Sequence, residues 1–179
     1  MQELVVLVDD DNNPIGTADK ATVHTKDTPL HRAFSLFIFN SKQQVLLTKR
    51  AAHKKTFPGV WTNTVCGHVA PDETTINAAV RRLRDELGMS GVPLTEVSPY
   101  RYRFADENGI VENEICPILV GYADNDPSPN PTEVDEWKWM DWEMFLKDID
   151  TNPHPYSPWS REEALILTKK LPQKDRGMR

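Results

Sequence analysis

The sequence predicts an α/β or α+β sandwich, a mixed β-sheet flanked by helices, and three observations carry that prediction. Short β-rich runs dominate the chain. Its two convincing helical stretches do not alternate with strands as a regular βαβ repeat would. A length of 179 residues with 39% hydrophobic content suits one domain, residues 1–179, able to bury a core of its own.

The elements follow in order. The stretch "ELVVLVDDDNNPIGTADK" reads as a hairpin around Asn12, Asn13 and Pro14, and "AFSLFIFNSKQQVLLTKR" as a second that turns at Asn40 to Lys42. "WTNTVCGHVAP" reads as one strand. From Thr74 to Leu87, Ile76, Ala79, Val80, Leu83 and Leu87 recur at helical spacing, and Gly88 stands at the C-cap position. "SPYRYRFAD" and "GIVENEICPILVGYAD" are strands joined by a turn at Glu107 to Gly109, with Pro117 marking a bulge or an edge. The polar, proline-rich "NDPSPNPTEVDE" is a loop, and "WKWMDW" resumes a strand before a short helix from Glu143. In "SPWSREEALILTKKL", Ser160 and Glu163 have capping-box spacing and Ala164, Leu165 and Leu167 supply an apolar side, so a last helix starts just beyond Trp159. The tail from Pro172 is expected to fray.

A formal charge of -6 gives no reason to expect a nucleic-acid partner, although local basic patches can attract a small anion. "MQELVVLVDDD" offers a short apolar run with no basic flank and acids directly after it, so neither a signal peptide nor a membrane span is expected. The expectation is a cytoplasmic protein, a monomer or weak dimer, whose Cys66 and Cys116 remain thiols.

Residues i and i+2 of a strand face the same way, so Cys66 and His68 project together, as do Glu112 and Glu114, with Cys116 and Ile118 continuing the second face. Two acids on one enclosed face repel, and a cation offsets the repulsion. His68 is a candidate co-ligand, as are His24 and His31, which flank the loop "TKDTPL". Three imidazoles and two carboxylates would make a mixed N/O site suited to Zn2+, Mn2+ or Mg2+ rather than a thiolate-rich structural zinc. Plainer readings stand beside these: Glu112 and Glu114 as the wet face of an edge strand, Cys66 as a small buried hydrophobe, and His53 and His154 as solvated loop residues.

"GHVAPDETTINAAVRRLRDELGM" resembles the signature of Nudix hydrolases. Gly67, Glu73, Arg81, Leu83, Glu86 and Gly88 match, Asp85 replaces one acid, and Arg82 stands where those enzymes carry their first helix glutamate. Clustered carboxylates there hold the cations that activate water, whereas an arginine binds phosphate oxygens directly. Diphosphate binding survives the swap and hydrolysis is put in doubt. Arg82 and Glu86, four apart on a helix, have a surface ion pair as their plainer alternative. In "LLTKRAAHKKTFPGVW", Arg50 and Lys54 are spaced to help clamp an anion.

Over nearly its whole length the chain resembles the type I isopentenyl-diphosphate isomerases, a Nudix-fold family. The resemblance rests on "HRAFS" with the upstream His24, "KKTFPGVWTNTVCGH", "RRLRDELG", "YRYR", "GIVENEICP" and "SPW", in the family's order. It implies a reversible 1,3-proton shift that converts isopentenyl to dimethylallyl diphosphate through a tertiary carbocation. It also implies that Cys66 works on one face of the substrate and Glu114, assisted by Tyr102, on the other. His24, His31, His68, Glu112 and Glu114 would hold one Mn2+, Zn2+ or Mg2+. A further Mg2+ would lie between Glu86 and the diphosphate, with Lys20, Arg50, Lys54 and Arg82 holding the remaining phosphate charge. Trp159 would face the hydrocarbon end. Two other readings remain: a Nudix hydrolase using Glu73, Asp85 and Glu86, and a metal-stabilised binding module without turnover.

Overall fold

The computed structural model describes residues 3–171, so the fraying expected from Pro172 onward lies outside the described residues. β1 (Leu4–Val8) and β2 (Pro14–Asp19) form the first hairpin, and β3 (His31–Phe39) and β4 (Gln44–Arg50) the second. In the second turn the Asn40 carboxamide oxygen accepts from the backbone N–H of Lys42 and of Gln44, which closes the loop at the expected place.

β3 is the organising strand. At its start His31 pairs with Leu7 of β1 and, in parallel, with Glu114 of β9 (Val111–Ile115). Farther along it pairs antiparallel with β6 (Val65–His68) and parallel with β10 (Ile118–Tyr122), and Phe39 at its end pairs with Val45 of β4. Two-residue alternation splits its side chains between two layers. Phe34, Leu36 and Ile38 pack with Leu83 and Leu87 of α1 (Thr75–Leu87), whereas Phe37 and Phe39 pack with Trp142 and Phe145 of α2 (Trp142–Thr151) and Leu167 of α3 (Pro158–Lys170). The expected mixed sheet between helices is therefore the observed α+β architecture.

β5 (Trp61–Thr62) and β6 are two short strands where one was expected, separated by Asn63 and Thr64. Those two residues turn inward: the Thr64 hydroxyl donates to Leu46 O and accepts from Ile38 N–H, joining β4 to β3. Pro117 stands just before a register shift between Ile118 and Leu119 in the pairing with β7, an irregularity of the kind expected there. It divides the expected long strand into β9, which pairs with β8 (Arg101–Ala105), and β10, which lies between β3 and β7 (Leu94–Ser98). Its carbonyl accepts from Ser35 N–H, so the break is stitched to β3. β7 has no counterpart among the expected elements. β11 (Val134–Asp141) begins inside the stretch read as loop and pairs with β4 along its length.

The helices correct the expectations in an instructive way. α1 has the foreseen bounds, with Thr74 as N-cap and Gly88 in the left-handed region at φ 64°. Its inward face differs: Ile76 and Val80 are exposed, whereas Arg82 and Glu86 are buried beside Leu83 and Leu87. α3 starts before Trp159, not after it. Ser157 is the N-cap, accepting from Ser160 N–H at 3.4 Å, and Pro158 opens the first turn, where its missing N–H costs nothing. Glu163 is thus no capping-box residue but a fully buried one, and Leu165 faces outward.

Candidate active site

Strand register assembles the site. Tyr102 on β8 lies opposite Glu114 on β9, which lies beside His31 on β3; on the other side of β3, Ala33 faces His68 and Ser35 faces Cys66. His24 comes from the loop after β2, and that loop is anchored to β9 because Thr25 O accepts from Val111 N–H and Thr28 O from the Asn113 carboxamide.

His24, His31, His68, Glu112 and Glu114 converge, with one ligand atom from each lying within 4.8 Å of all the others. The edge-strand alternative fails for Glu112 and Glu114, which are buried, and His24 and His31 are buried with them. His24 Nε2 is 3.0 Å from Glu112 Oε2, and Glu114 Oε1 is 3.1 Å from His68 Nε2 and 3.4 Å from His31 Nε2. His31 Nδ1 is 2.8 Å from Pro29 O. A carbonyl only accepts, so Nδ1 carries a proton, and Nε2 is the nitrogen left to face the carboxylates or a cation. His24 Nε2, His31 Nε2 and Glu112 Oε2 are buried without hydrogen bonds, which is the pattern a cation would satisfy. The residues therefore fit a divalent ion held by mixed N/O ligands.

The electrostatics of the cluster are mutually opposed. Burial would raise the Glu114 pKa, but the His31 and His68 contacts hold it well below the usual carboxylate range. Burial depresses His68, while for His31 the Glu114 carboxylate outweighs burial and raises the pKa. The Tyr102 hydroxyl donates to Glu114 Oε2 at 2.6 Å, and burial with the adjacent carboxylate pushes that phenol up, which keeps it a donor.

Cys66 and Glu114 both line a cavity of about 550 Å³, reached from strands on opposite sides of β3. The Cys66 thiol is pushed up to about 12, chiefly by burial and secondarily by Glu163. Cys116 lies deeper, fully buried, with its Sγ 3.5 Å from Ser35 Oγ. Trp159 stacks on Tyr102 with ring centroids 5.6 Å apart and an interplanar angle of 17°, and meets Phe57 edge-on, giving the cavity an apolar wall.

The cavity also takes in Lys20, Arg50, Lys54 and Arg82. Arg50 is oriented by Thr56 O and Phe57 O and lies over the Trp159 ring, 5.7 Å from its centroid. Arg82 is no surface residue. An added Cβ at Gly67 would stand 3.1 Å from both Arg82 Cγ and Phe34 Cζ, so the glycine lets the arginine stem lie against β6. Arg82 pairs with Glu86 at 2.6 Å and with Glu133 at 3.2 Å, and Lys54 also pairs with Glu133. The two acids outweigh burial and raise the Arg82 pKa, whereas burial, reinforced by Glu133, raises that of Glu86. Glu86 itself is not among the cavity-lining residues and lies apart from the histidine cluster. The acids a hydrolase would use are occupied elsewhere: Glu73 is held by Arg81 at 2.8 Å, and Asp85 by Arg84 at 2.8 Å.

A NUDIX domain matches residues 29–160. The isopentenyl-diphosphate Delta-isomerase of Saccharopolyspora erythraea is 49% identical over 168 residues, spanning 93% of this chain and 87% of that protein. The protein of the same name from Corynebacterium glutamicum is 51% identical over 163 residues, spanning 88% and 86%. This chain belongs to the isopentenyl-diphosphate Delta-isomerase family. Among solved structures, a Deinococcus radiodurans protein superposes with a TM-score of 0.73 at 18% identity, covering 95% of this chain and all (100%) of that one. A MutT protein of Methanosarcina mazei gives 0.66 at 20% identity, covering 79% and 94%; both likenesses concern the fold alone.

Three residues of this isomerase-family site escaped the sequence reading. Glu133 lies in the proline-rich stretch read as loop, yet it is the shared partner of Lys54 and Arg82. Asn63 is fully buried beside Cys66. Glu163 is four residues after Trp159 on the same face of α3, and neither of its carboxylate oxygens makes a hydrogen bond. The Trp159 to Glu163 spacing was the one signal available for it.

Proposed function

We propose that the chain interconverts isopentenyl and dimethylallyl diphosphate by proton transfer at two faces of the bound hydrocarbon, with Cys66 at one face and Glu114 with Tyr102 at the other. The observation that carries this reading is the pairing of the two groups across one cavity from opposite sides of β3. Protonating an unactivated alkene creates a tertiary cation, so the reaction needs an acid, a base on the far face, and exclusion of water.

Cys66 holds its proton until a substrate arrives, and the Tyr102 hydroxyl can hand a proton to or take one from Glu114 along its 2.6 Å hydrogen bond. The roles of the two faces exchange when the reaction reverses. Trp159 offers a π-face to the developing cation, and Phe57 and Tyr102 around it keep the pocket dry. Lys20, Arg50, Lys54 and Arg82 supply positive charge for the diphosphate at the other end. For Lys54 and Arg82 to grip phosphate oxygens fully, each must loosen its hold on Glu133; for Glu86 to meet a Mg2+ accompanying the diphosphate, Arg82 must release it too. A divalent ion in the histidine cluster, Mn2+, Zn2+ or Mg2+, would neutralise Glu112 and Glu114 and tie the acidity of Glu114 to metal occupancy.

The experiment is proton NMR of isopentenyl diphosphate incubated with the protein in D2O, with Mg2+ and Mn2+ present. Dimethylallyl diphosphate carrying deuterium in its new methyl group, without release of phosphate, is the expected outcome, and Cys66→Ala should abolish it. Phosphate release, or turnover retained in Cys66→Ala, would overturn the reading.

A further inference from the structure

Asn63 occupies the short turn between β5 and β6 and is wholly inaccessible to solvent. Its Nδ2 donates to Leu36 O at 3.0 Å and to Val65 O at 3.1 Å. Both partners are backbone carbonyls, which only accept, so the carboxamide has one permitted orientation. Its Oδ1 must face the other way, and there it meets three donors: the Thr62 hydroxyl at 2.8 Å, Cys66 Sγ at 3.0 Å and Trp159 Nε1 at 3.3 Å. An indole N–H can only donate, which fixes the oxygen a second time by a separate route. A single amide therefore ties the thiol and the indole to one oxygen atom, and its nitrogen pins that oxygen to the backbone of β3 and β6.

We infer that Asn63 is a positioning residue for the isomerisation, which fixes the place of the Cys66 sulfur and the ring plane of Trp159 as one unit, the thiol proton turning from the amide to the alkene about the Cβ–Sγ bond. This rests on the reading that Cys66 transfers a proton and that Trp159 faces the cation. The alkene carbon must lie in line with the sulfur while the cationic carbon lies over the ring, and the two distances can be kept together only if thiol and indole share a reference point. Asn63 is that point. Thr62 secures it laterally, because its hydroxyl also meets Ser157, the N-cap of the helix that carries Trp159. The amide does not line the cavity and is kept apart from the phosphate-binding residues, so its effect falls on the chemical step rather than on binding.

The first test needs no variant at Asn63. In the wild-type holoenzyme the Cys66 S–H stretch, identified in the infrared as the band lost in Cys66→Ser, should lie at the lowered frequency of a donating thiol. A free-thiol frequency would overturn the inference. The second test is Asn63→Leu, close in shape but lacking both amide functions. It is expected to lose about 100-fold in kcat, the scale of a 1 Å misplacement, with KM for isopentenyl diphosphate changed less than twofold. Its S–H band should move to the free-thiol frequency, and the Trp159 indole N–H resonance should shift. Asn63→Asp at a pH where the new carboxyl is protonated retains an acceptor oxygen and should recover part of the loss. Retained Mn2+ affinity reports an intact fold; if it is lost, the wild-type thiol frequency decides. An Asn63→Leu variant with wild-type kcat sinks the inference, whereas isomerase turnover in Cys66→Ser would sink the functional reading beneath it.

Discussion

Replacing Glu163 with glutamine should change how stability responds to pH, and the size of the change can be worked out. Glu163 is fully buried on α3, and neither carboxylate oxygen has a hydrogen-bond partner. Burial raises its pKa well above the usual carboxylate value of 4.5; the nearby Ser35 hydroxyl opposes this, and the charges of Glu114 and Glu162 add to the rise. The folded chain thus keeps a proton that the unfolded chain gives up. Folded-state affinity for the proton is the higher one, so this group's contribution is fully present below the unfolded pKa and is lost as pH rises toward the folded one. Each pH unit over which the folded chain alone keeps the proton costs about 1.4 kcal/mol. Glutamine has no proton to lose. Urea unfolding of both proteins under identical metal conditions at several pH values should show Glu163→Gln gaining on wild type as pH rises above the unfolded value. Titrating groups that do not interact with Glu163 are shared and cancel in the difference. Parallel curves would refute the reasoning, because they would mean that Glu163 is ionised inside the fold.

Other perturbations have equally definite outcomes. Saturating Mn2+ should raise Tm over the chelated protein by about 5–10 °C, since an ion at 100 times its Kd adds about 2.7 kcal/mol, and Glu112→Gln should lose most of that shift in a thermal melt. Arg82→Ala leaves buried Glu86 without its paired cation, while half-buried Glu133 keeps Lys54, and should cost about 3–5 kcal/mol in denaturant unfolding. Gly67→Ala drives a methyl group against Arg82 Cγ and Phe34 Cζ and should cost about 1–3 kcal/mol, with a raised KM for the diphosphate substrate because the guanidinium is displaced.

The parts of this site that could be read from the sequence are those in which spacing translates directly into direction. The two-residue interval in Glu112 and Glu114, and again in Cys66 and His68, fixes a shared face before any fold is known. What could not be read depends on distant partners. Glu133 acquires meaning only because β11 pairs with β4 and brings it to Lys54 and Arg82. Ile76 and Val80 fit helical periodicity yet point outward, because α1 gives part of its inner face to Arg82 and Glu86, and a charged inner face defeats a pattern search built on apolar residues. The start of α3 was misplaced because Ser157 and Ser160 are equally good caps in isolation. Pro158 at the first helical position favours Ser157, and the buried contacts of Ser157 with Thr62 and Ser160 reinforce the choice.

The central strand β3 also sets a timetable. Its early neighbours in the chain, β4 and β6, are available long before β9 and β10, whose parallel pairing with β3 must close a loop spanning much of the protein. Three imidazoles thus emerge from a ribosome well ahead of the two carboxylates that complete their cluster. A divalent ion held by these five residues would act on the assembled fold rather than at its beginning, because its ligand set is complete only once β9 has docked on β3. Catalytic competence and mature topology should therefore be reached in the same kinetic phase.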